Sequence, residues 1–228
     1  MQKLHTKTEG ERGKMTVHPR IYIQNPYKER VNIVGMVQSG KTNLLLWLLK
    51  SVRVPYILFD PLNVVKRAEQ SGWQPLDPAT QQIVSPAWND IAAEFNRVAL
   101  EVWNKGNMIL IVDEIALEGT DEKGRPKPFF CNKYWKQPVL SRICNQGGNR
   151  NISLWGTSQR AAQVHNDILA NSMHHFIFRL YLPQDIEWMS KVIPRTIAEN
   201  TQNLQQYSFV YYQLGSKAAI FNPIKRMY

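Results

Sequence analysis

Eight residues constrain this chain more than any others: Gly35-Met36-Val37-Gln38-Ser39-Gly40-Lys41-Thr42, which follow the pattern G-x-x-x-x-G-K-[ST]. They come directly after an apolar run, Val31-Asn32-Ile33-Val34, and lead into Leu44, Leu45, Leu46, Trp47, Leu48 and Leu49. A short apolar run before a glycine reads as a buried strand. A segment apolar on every side reads as a helix buried on every side. The chain is therefore committed, near its start, to a strand, a tight loop and a buried helix. Glycines at the ends of the loop let the backbone approach a phosphate where a Cβ would clash. The N–H groups of residues 37–42 then point inward and add to the positive end of the helix dipole. In that arrangement Lys41 reaches the β- and γ-phosphates as a point charge, and the Thr42 hydroxyl is a magnesium ligand. The nucleotide-contacting set is Gly35, Gln38, Ser39, Gly40, Lys41, Thr42 and Asn43.

A second feature completes the chemistry. Met108-Ile109-Leu110-Ile111-Val112 is a continuous apolar run ending in Asp113-Glu114. Such a run suits a strand buried on both faces of a parallel sheet. An acid at the end of a core strand holds the magnesium shell in enzymes with this kind of loop, and that role falls to Asp113. Glu114 is then placed to take a proton from the attacking water. The cofactor expectation is ATP with Mg²⁺. Two adjacent carboxylates also suit a solvated strand end, and it is the Lys41 loop that favours the hydrolytic reading. A nucleotide kinase needs no water-activating Glu beside its metal acid, and the N-K-x-D motif of Ras-type GTPases is absent from the sequence.

The rest of the chain alternates strands with helices. Further strands are expected at Tyr56–Phe59, Gln82–Val84, Ile152–Thr157 and Phe176–Phe178. Helices are expected from Thr42 to Lys50, from Ile91 up to Gly106, and over Val139–Cys144, Gln163–Ser172 and Asp185–Val192. The tail reads as a hairpin, Phe209–Tyr212 with Ala218–Phe221 around Gly215-Ser216. Alternating strands and helices imply an α/β fold with a mostly parallel central sheet and right-handed crossovers. The chain has 228 residues, which favours one domain, and 43% of them are hydrophobic, enough for a core without staples. No run approaches the roughly 20 apolar residues of a membrane span, so no integral membrane segment is expected. Cys131 and Cys144 match no zinc spacing and read as free thiols. His174-His175 lacks companion ligands for a metal.

Charge points to a polyanionic partner. Lys and Arg number 28 against 18 acids, a net charge of +10, and a protein this basic often meets nucleic acid. Residues 1–20 carry Lys3, Lys7, Arg12, Lys14 and Arg20 with few large apolar side chains, and read as a basic flexible arm ahead of a single domain over 21–228. From Glu118 to Pro138 a long loop is expected. Lys123, Arg125, Lys127, Lys133 and Lys136 there interleave with Phe129, Phe130, Tyr134 and Trp135. That mixture suits tracking a DNA backbone, or packing a subunit interface.

One more element gives a family resemblance. Gly156-Thr157-Ser158-Gln159-Arg160 ends an apolar strand and follows Gly147-Gly148-Asn149-Arg150. The order is a Gly-Lys-Thr loop, a strand ending in Asp60-Pro61, an Asp-Glu strand, an Arg-bearing turn and a strand ending in Ser-Gln-Arg. Over roughly residues 30–195 it resembles the FtsK–HerA superfamily of DNA-pumping ATPases. It looks most like the genome-packaging ATPases of tailless icosahedral, membrane-containing viruses. The resemblance implies the three-layer fold of RecA/ASCE-like P-loop NTPases, with the Thr157 strand between the other two motif strands. It implies that Gln159 senses the γ-phosphate or attacking water, where an amide can donate and accept at once. It implies an arginine given in trans to a neighbouring subunit, with Arg150 the best match and Arg142 the second. It also implies a ring oligomer, a hexamer, that drives double-stranded DNA into a preformed capsid. Such a motor would work in the host cytoplasm at the virion or capsid vertex, docked on a capsid or viral membrane protein. The alternatives are a related motor for plasmid transfer or filamentous-phage extrusion, and a nucleotide-gated assembly module that does not pump. Where the family often has Pro after the Gln-Arg pair, Ala161 stands here.

Overall fold

Strict alternation along the core strands decides the architecture. In the strand Met108–Val112, Met108, Leu110 and Val112 pack into one buried cluster, while Ile109 and Ile111 pack into another. A strand with two apolar faces needs cover on both, and helices supply it. The structure is a computed structural model that describes residues 21, 23–120, 126–128 and 138–227, with the backbone alone at 119, 120 and 126–128. In chain order the elements are β1 (Val31–Val34), α1 (Lys41–Leu49), β2 (Tyr56–Phe59), α2 (Val64–Gln70), β3 (Gln81–Val84), α3 (Ile91–Lys105), β4 (Met108–Val112), β5 (Glu118–Thr120), β6 (Pro126–Pro128), α4 (Pro138–Gln146), β7 (Ile152–Ser158), α5 (Asn166–Asn171), β8 (His174–Ile177), α6 (Pro183–Met189), α7 (Arg195–Asn200), β9 (Phe209–Gln213) and β10 (Ala219–Phe221).

An eight-stranded sheet runs in the order β10-β9-β8-β1-β7-β4-β2-β3. Strands β8, β1, β7, β4, β2 and β3 are mutually parallel, and β9 and β10 add an antiparallel hairpin at one end. The result is the mostly parallel α/β sheet with a C-terminal hairpin that the sequence implied. Strand β7 pairs with β1 on one side and β4 on the other. Because all the parallel strands point the same way, the loops after β1, β2, β4 and β7 gather at one edge, where ligands bind in open sheets of this kind.

Residues of α1 and α2 pack with one face of the sheet, and residues of α3 to α7 with the other. In α1, Leu44, Leu45, Leu46, Leu48 and Leu49 are all buried, as expected of a helix apolar all round. Each such side chain contributes roughly 1.5–3 kcal/mol of burial, so the helix behind the loop is held firmly. On the other face α3 buries Ile91, Phe95, Val98, Ala99 and Val102. The Phe95 ring meets Phe59 edge-on at 5.3 Å.

The structure departs from the sequence-based expectation in several places. Helix α2 was not expected. Its residues carry no clean period, and it is started by the Asp60 side chain, which accepts from Val64 N and Lys66 N. Helix α7 follows Pro194 in the same unannounced way. Helix α5 begins at Asn166, not Gln163, because His165 is extended and its ring accepts from Asp167 N as an N-cap. Helix α6 begins at Pro183, a residue suited to a first turn. Within the expected long loop, β5 and β6 form an antiparallel ribbon. The basic arm over 1–20, Lys123, Arg125, Lys133, Lys136 and Cys131 lie outside the described residues, and of Lys127 only the backbone is described.

Candidate functional site

The glycine loop hangs from the ends of two strands. Gly35 N donates to Ser158 O at the end of β7 at 3.1 Å, and Met36 N donates to Arg179 O after β8 at 3.3 Å. A Cβ at Gly35 would stand 2.4 Å from the Cβ of Phe178, so no larger residue fits. Gly40 turns the chain into α1 with φ +104°, a left-handed conformation natural to glycine. Gln38, at φ +59°, adopts a conformation uncommon outside Gly, Asn and Asp. Lys41 is buried, and its Nζ donates to Gly35 O and Met36 O, both at 2.8 Å. Burial lowers its pKa, while Glu114 and Asp113 pull the other way. The buried Ser39 hydroxyl finds no partner among the described residues. An orphaned hydroxyl beside a cation folded onto carbonyls is what a cradle built for phosphate oxygens should show.

Three strands bring the acids to this loop. The end of β4 carries Asp113, whose N–H donates to Phe59 O in β2 at 3.0 Å. Thr157, in β7, donates its hydroxyl to Asp113 Oδ1 at 2.7 Å. The same hydroxyl accepts from Glu114 N at 2.8 Å. Thr42, in the first turn of α1, points its hydroxyl at Asp113, 3.4 and 3.5 Å from the two carboxylate oxygens. Glu114 is held at φ +57°, a strained conformation of the kind that collects at functional sites. Its Oε1 accepts from Gln159 N at 2.9 Å, and the Gln159 side chain also hydrogen-bonds it. The expected set Lys41, Thr42, Asp113, Glu114 and Gln159 is thus brought together at one strand edge, with Asn43 next to Thr42 in the first turn of α1.

The electrostatics follow from burial. Asp113 is pushed up to about 7, chiefly by desolvation, with Asp60 and Glu114 adding repulsion against the pull of Thr157 and Lys41. Burial also raises Glu114, against the stabilising hydrogen bonds of Gln159 and the charge of Lys41. Hard oxygen donors from Thr42 and Asp113, with a buried carboxylate short of counter-charge, suit a magnesium ion.

The site has two members that the sequence did not single out by role. Thr157 is the hinge between both acids, a position set by β7 lying between β1 and β4. Asp60 is fully buried at the end of β2 and accepts from Val64 N, Lys66 N and the Ser85 hydroxyl. Burial raises its pKa too. The sequence marked each by its place at the end of an apolar run and within the motif order that carried the resemblance, but gave neither a role.

The two arginines lie elsewhere. Arg150 sits before β7, at the far edge of the sheet, and the seven residues of β7 separate that edge from the loop by roughly 20 Å at strand spacing. It donates to Trp103 O at 2.8 Å and Asn104 O at 3.1 Å, with its guanidinium 5.3 Å from the Trp103 ring. Arg142 is exposed on α4. Arg160, next to Gln159, donates to the buried Asp185 at 2.9 Å. Among the described residues no group of three or more His, Cys, Asp or Glu is placed to hold a metal ion. No helix among them is long and apolar enough to cross a membrane.

No family model matches the sequence, and no curated protein matches it. The likeness to solved structures is one of fold. The DNA-packaging ATPase B204 from Sulfolobus turreted icosahedral virus is 22% identical over 88% of this chain and 100% of its own, with a TM-score of 0.66. The genome packaging NTPase B204 from Sulfolobus turreted icosahedral virus 2, in complex with AMPPCP, is 21% identical over 88% of this chain and 100% of its own, again with a TM-score of 0.66. The pCW3 conjugation coupling protein TcpA, as a monomer with ATPγS, is 17% identical over 88% of this chain and 61% of its own, with a TM-score of 0.51. This chain therefore has the fold of the P-loop ATPases to which its motif order pointed.

Proposed function

We propose that this chain is a magnesium-dependent ATPase that works as a ring and moves double-stranded DNA into a viral capsid. The observation that carries the hydrolytic part is the Asp113 carboxylate, met by the hydroxyls of Thr42 and Thr157 beside a Glu114 that holds Gln159. One residue belongs to the phosphate loop and the others to the water-activating side, so the two halves of the reaction share one centre.

The geometry supports the following roles. Lys41 exchanges the carbonyls of Gly35 and Met36 for phosphate oxygens, and Ser39 gains the partner it lacks. Thr42 and Asp113 would hold Mg²⁺, which supplies charge neutralisation to the phosphate oxygens. Glu114 takes a proton from water as the water oxygen bonds to the γ-phosphorus. The bond from that phosphorus to the bridging oxygen breaks, and ADP carries away the electron pair. Burial makes Glu114 a stronger base than a solvated carboxylate. Gln159 orients both the carboxylate and the water. A guanidinium from a neighbouring copy would complete the charge stabilisation. Arg150 would have to leave two carbonyls to do so, which puts Arg142 first.

Packaging is supported by fold and motif order, and by matched length. The likeness takes in the whole of the DNA-packaging ATPase chain but 61% of the coupling protein. A net charge of +10 suits a DNA partner. The DNA-contacting candidates are Lys123, Arg125, Lys127, Lys133 and Lys136, and docking would be to a capsid vertex or viral membrane protein. The test is phosphate release by the full chain, with and without double-stranded DNA, across protein concentration. The expected result is a rate per chain that rises with concentration and with DNA. A rate indifferent to both leaves an ATPase without a motor, and no turnover at all favours a nucleotide-gated assembly module.

A further inference from the structure

Every hydrolytic group at the site comes from one flank of β1. Asp113 and Glu114 follow β4, and Thr157 and Gln159 belong to the end of β7, both on the same side of that strand. The opposite flank, β8 to β10, presents a different kind of group. Six residues other than glycine have positive φ among the described residues, and three are asparagines, which tolerate it. The other three are Gln38, Glu114 and Tyr207. The first two belong to the site already described. The third is a bulky aromatic at φ +64°. It sits third in a turn closed by Ser208 N to Gln205 O at 3.0 Å, a place that glycine or asparagine would fill without strain.

Local packing gives no reason for a tyrosine there. Tyr207 is 47% exposed, and no hydrogen bond engages its hydroxyl among the described residues. Its ring does lie against the phosphate loop, since a Cβ built on Gly40 would be 3.4 Å from its Cδ1. The turn is tied to that loop by Arg179. The Arg179 guanidinium donates to Leu204 O from both Nε and Nη2, and its carbonyl accepts from Met36 N. The chain after β10 reaches the same helix. Asn43, next to Thr42, donates to Lys225 O at 3.2 Å and accepts from Met227 N at 2.7 Å. An exposed ring and a pinned segment of backbone thus border the loop on the side away from the acids.

We infer that Tyr207 is the stacking wall for the base of a bound nucleoside triphosphate, with the segment 225–227, held by Asn43, as its second border. The inference rests on the nucleotide reading of the loop and adds a polarity to it: γ-phosphate towards β7 and β4, base towards β8 and β9. A stacked ring reads the π-face of a base and not its hydrogen-bonding edge.

The test compares two probes on three proteins: a β,γ-imido ATP analogue and inorganic tripolyphosphate, each with Mg²⁺, on the wild type, Tyr207→Gly and Tyr207→Phe. Glycine relieves the backbone strain, so Tyr207→Gly should melt no lower than the wild type. It should bind the analogue about tenfold more weakly and tripolyphosphate equally well, while Tyr207→Phe keeps wild-type affinity for both. Wild-type affinity of Tyr207→Gly for the analogue would overturn the inference. So would a joint loss of both probes with a lower melting temperature, which would make Tyr207 structural. A wild type that binds neither probe would instead bring down the nucleotide reading beneath it.

Discussion

At the amino-terminal edge of the sheet, His174 is buried with both ring nitrogens engaged, by the Tyr211 hydroxyl at 2.8 Å and by Glu29 at 3.0 Å. The Glu29 carbonyl accepts from Ser153 and from the Trp155 indole, and its carboxylate accepts from Gln24 N. At the carboxyl-terminal edge the buried groups are as polar but are left wanting. Ser39 has no partner among the described residues, Lys41 is folded onto its own loop, and Asp113 is lifted to about 7. Burying a polar group is tolerated when its bonds are met and costs about 1–3 kcal/mol when they are not. The cluster around His174 is therefore structural, although Arg30 Nε and Asn32 Oδ1 beside it also find no partner among the described residues. The loop edge combines its unmet hydroxyl with a folded-back cation and a buried carboxylate, a demand that a triphosphate and a divalent cation would satisfy.

The comparison breaks most readily at Lys41. Lys41→Ala should abolish binding of Mg–ATP, measured by calorimetry, because no other described cation is buried against the loop. Gln159→Ala should slow phosphate release by roughly 10²-fold, the cost of losing the group that positions the base and the water, and leave ATP affinity within about twofold. At the other edge His174→Phe should lower unfolding stability in urea by about 2 kcal/mol, the cost of unpaired Glu29 and Tyr211 groups, with no change in ATP affinity. A His174→Phe protein that folds normally and fails to bind ATP would erase the distinction between the edges.

A smaller effect concerns pH. The Asp113 carboxyl titrates at 3.8 in an ordinary environment and at about 7 here. Between those values the folded chain holds a proton that the unfolded chain has released. This group's contribution to stability is thus full below pH 3.8 and is lost as the pH rises through 7. Asp113→Asn should then raise the melting temperature of the nucleotide-free, magnesium-free protein by about 5 °C at pH 8 and by far less at pH 4.5. An equal shift at both values would mean that the carboxylate is not held against its charge.

What the sequence disclosed and what it hid divide along the same physical line. The Gly35–Thr42 loop, the run before Asp113 and the strand ending in Gln159 are local patterns, so their elements were legible from spacing, whereas their meeting was implied by the family resemblance. Helix α2 was hidden because it is capped by the side chain of Asp60, four residues ahead, and not by its own period. The sequence-based expectation starts strand β8 at Phe176, after His174 and His175. They lie within β8 because partners arrive from far along the chain, Glu29 from 145 residues away and Tyr211 from 37. Thr157 and Tyr207 gain their places from strand order, which no local pattern states.

The central claim is that Glu114, and no other group, primes water at a triphosphate held by the Lys41 loop. The direct measurement is the fate of ATP mixed with Mg²⁺ and a slight excess of Glu114→Gln protein. The variant should retain intact ATP, with phosphate release slowed at least 10²-fold relative to the wild type. Release of phosphate at the wild-type rate would contradict it.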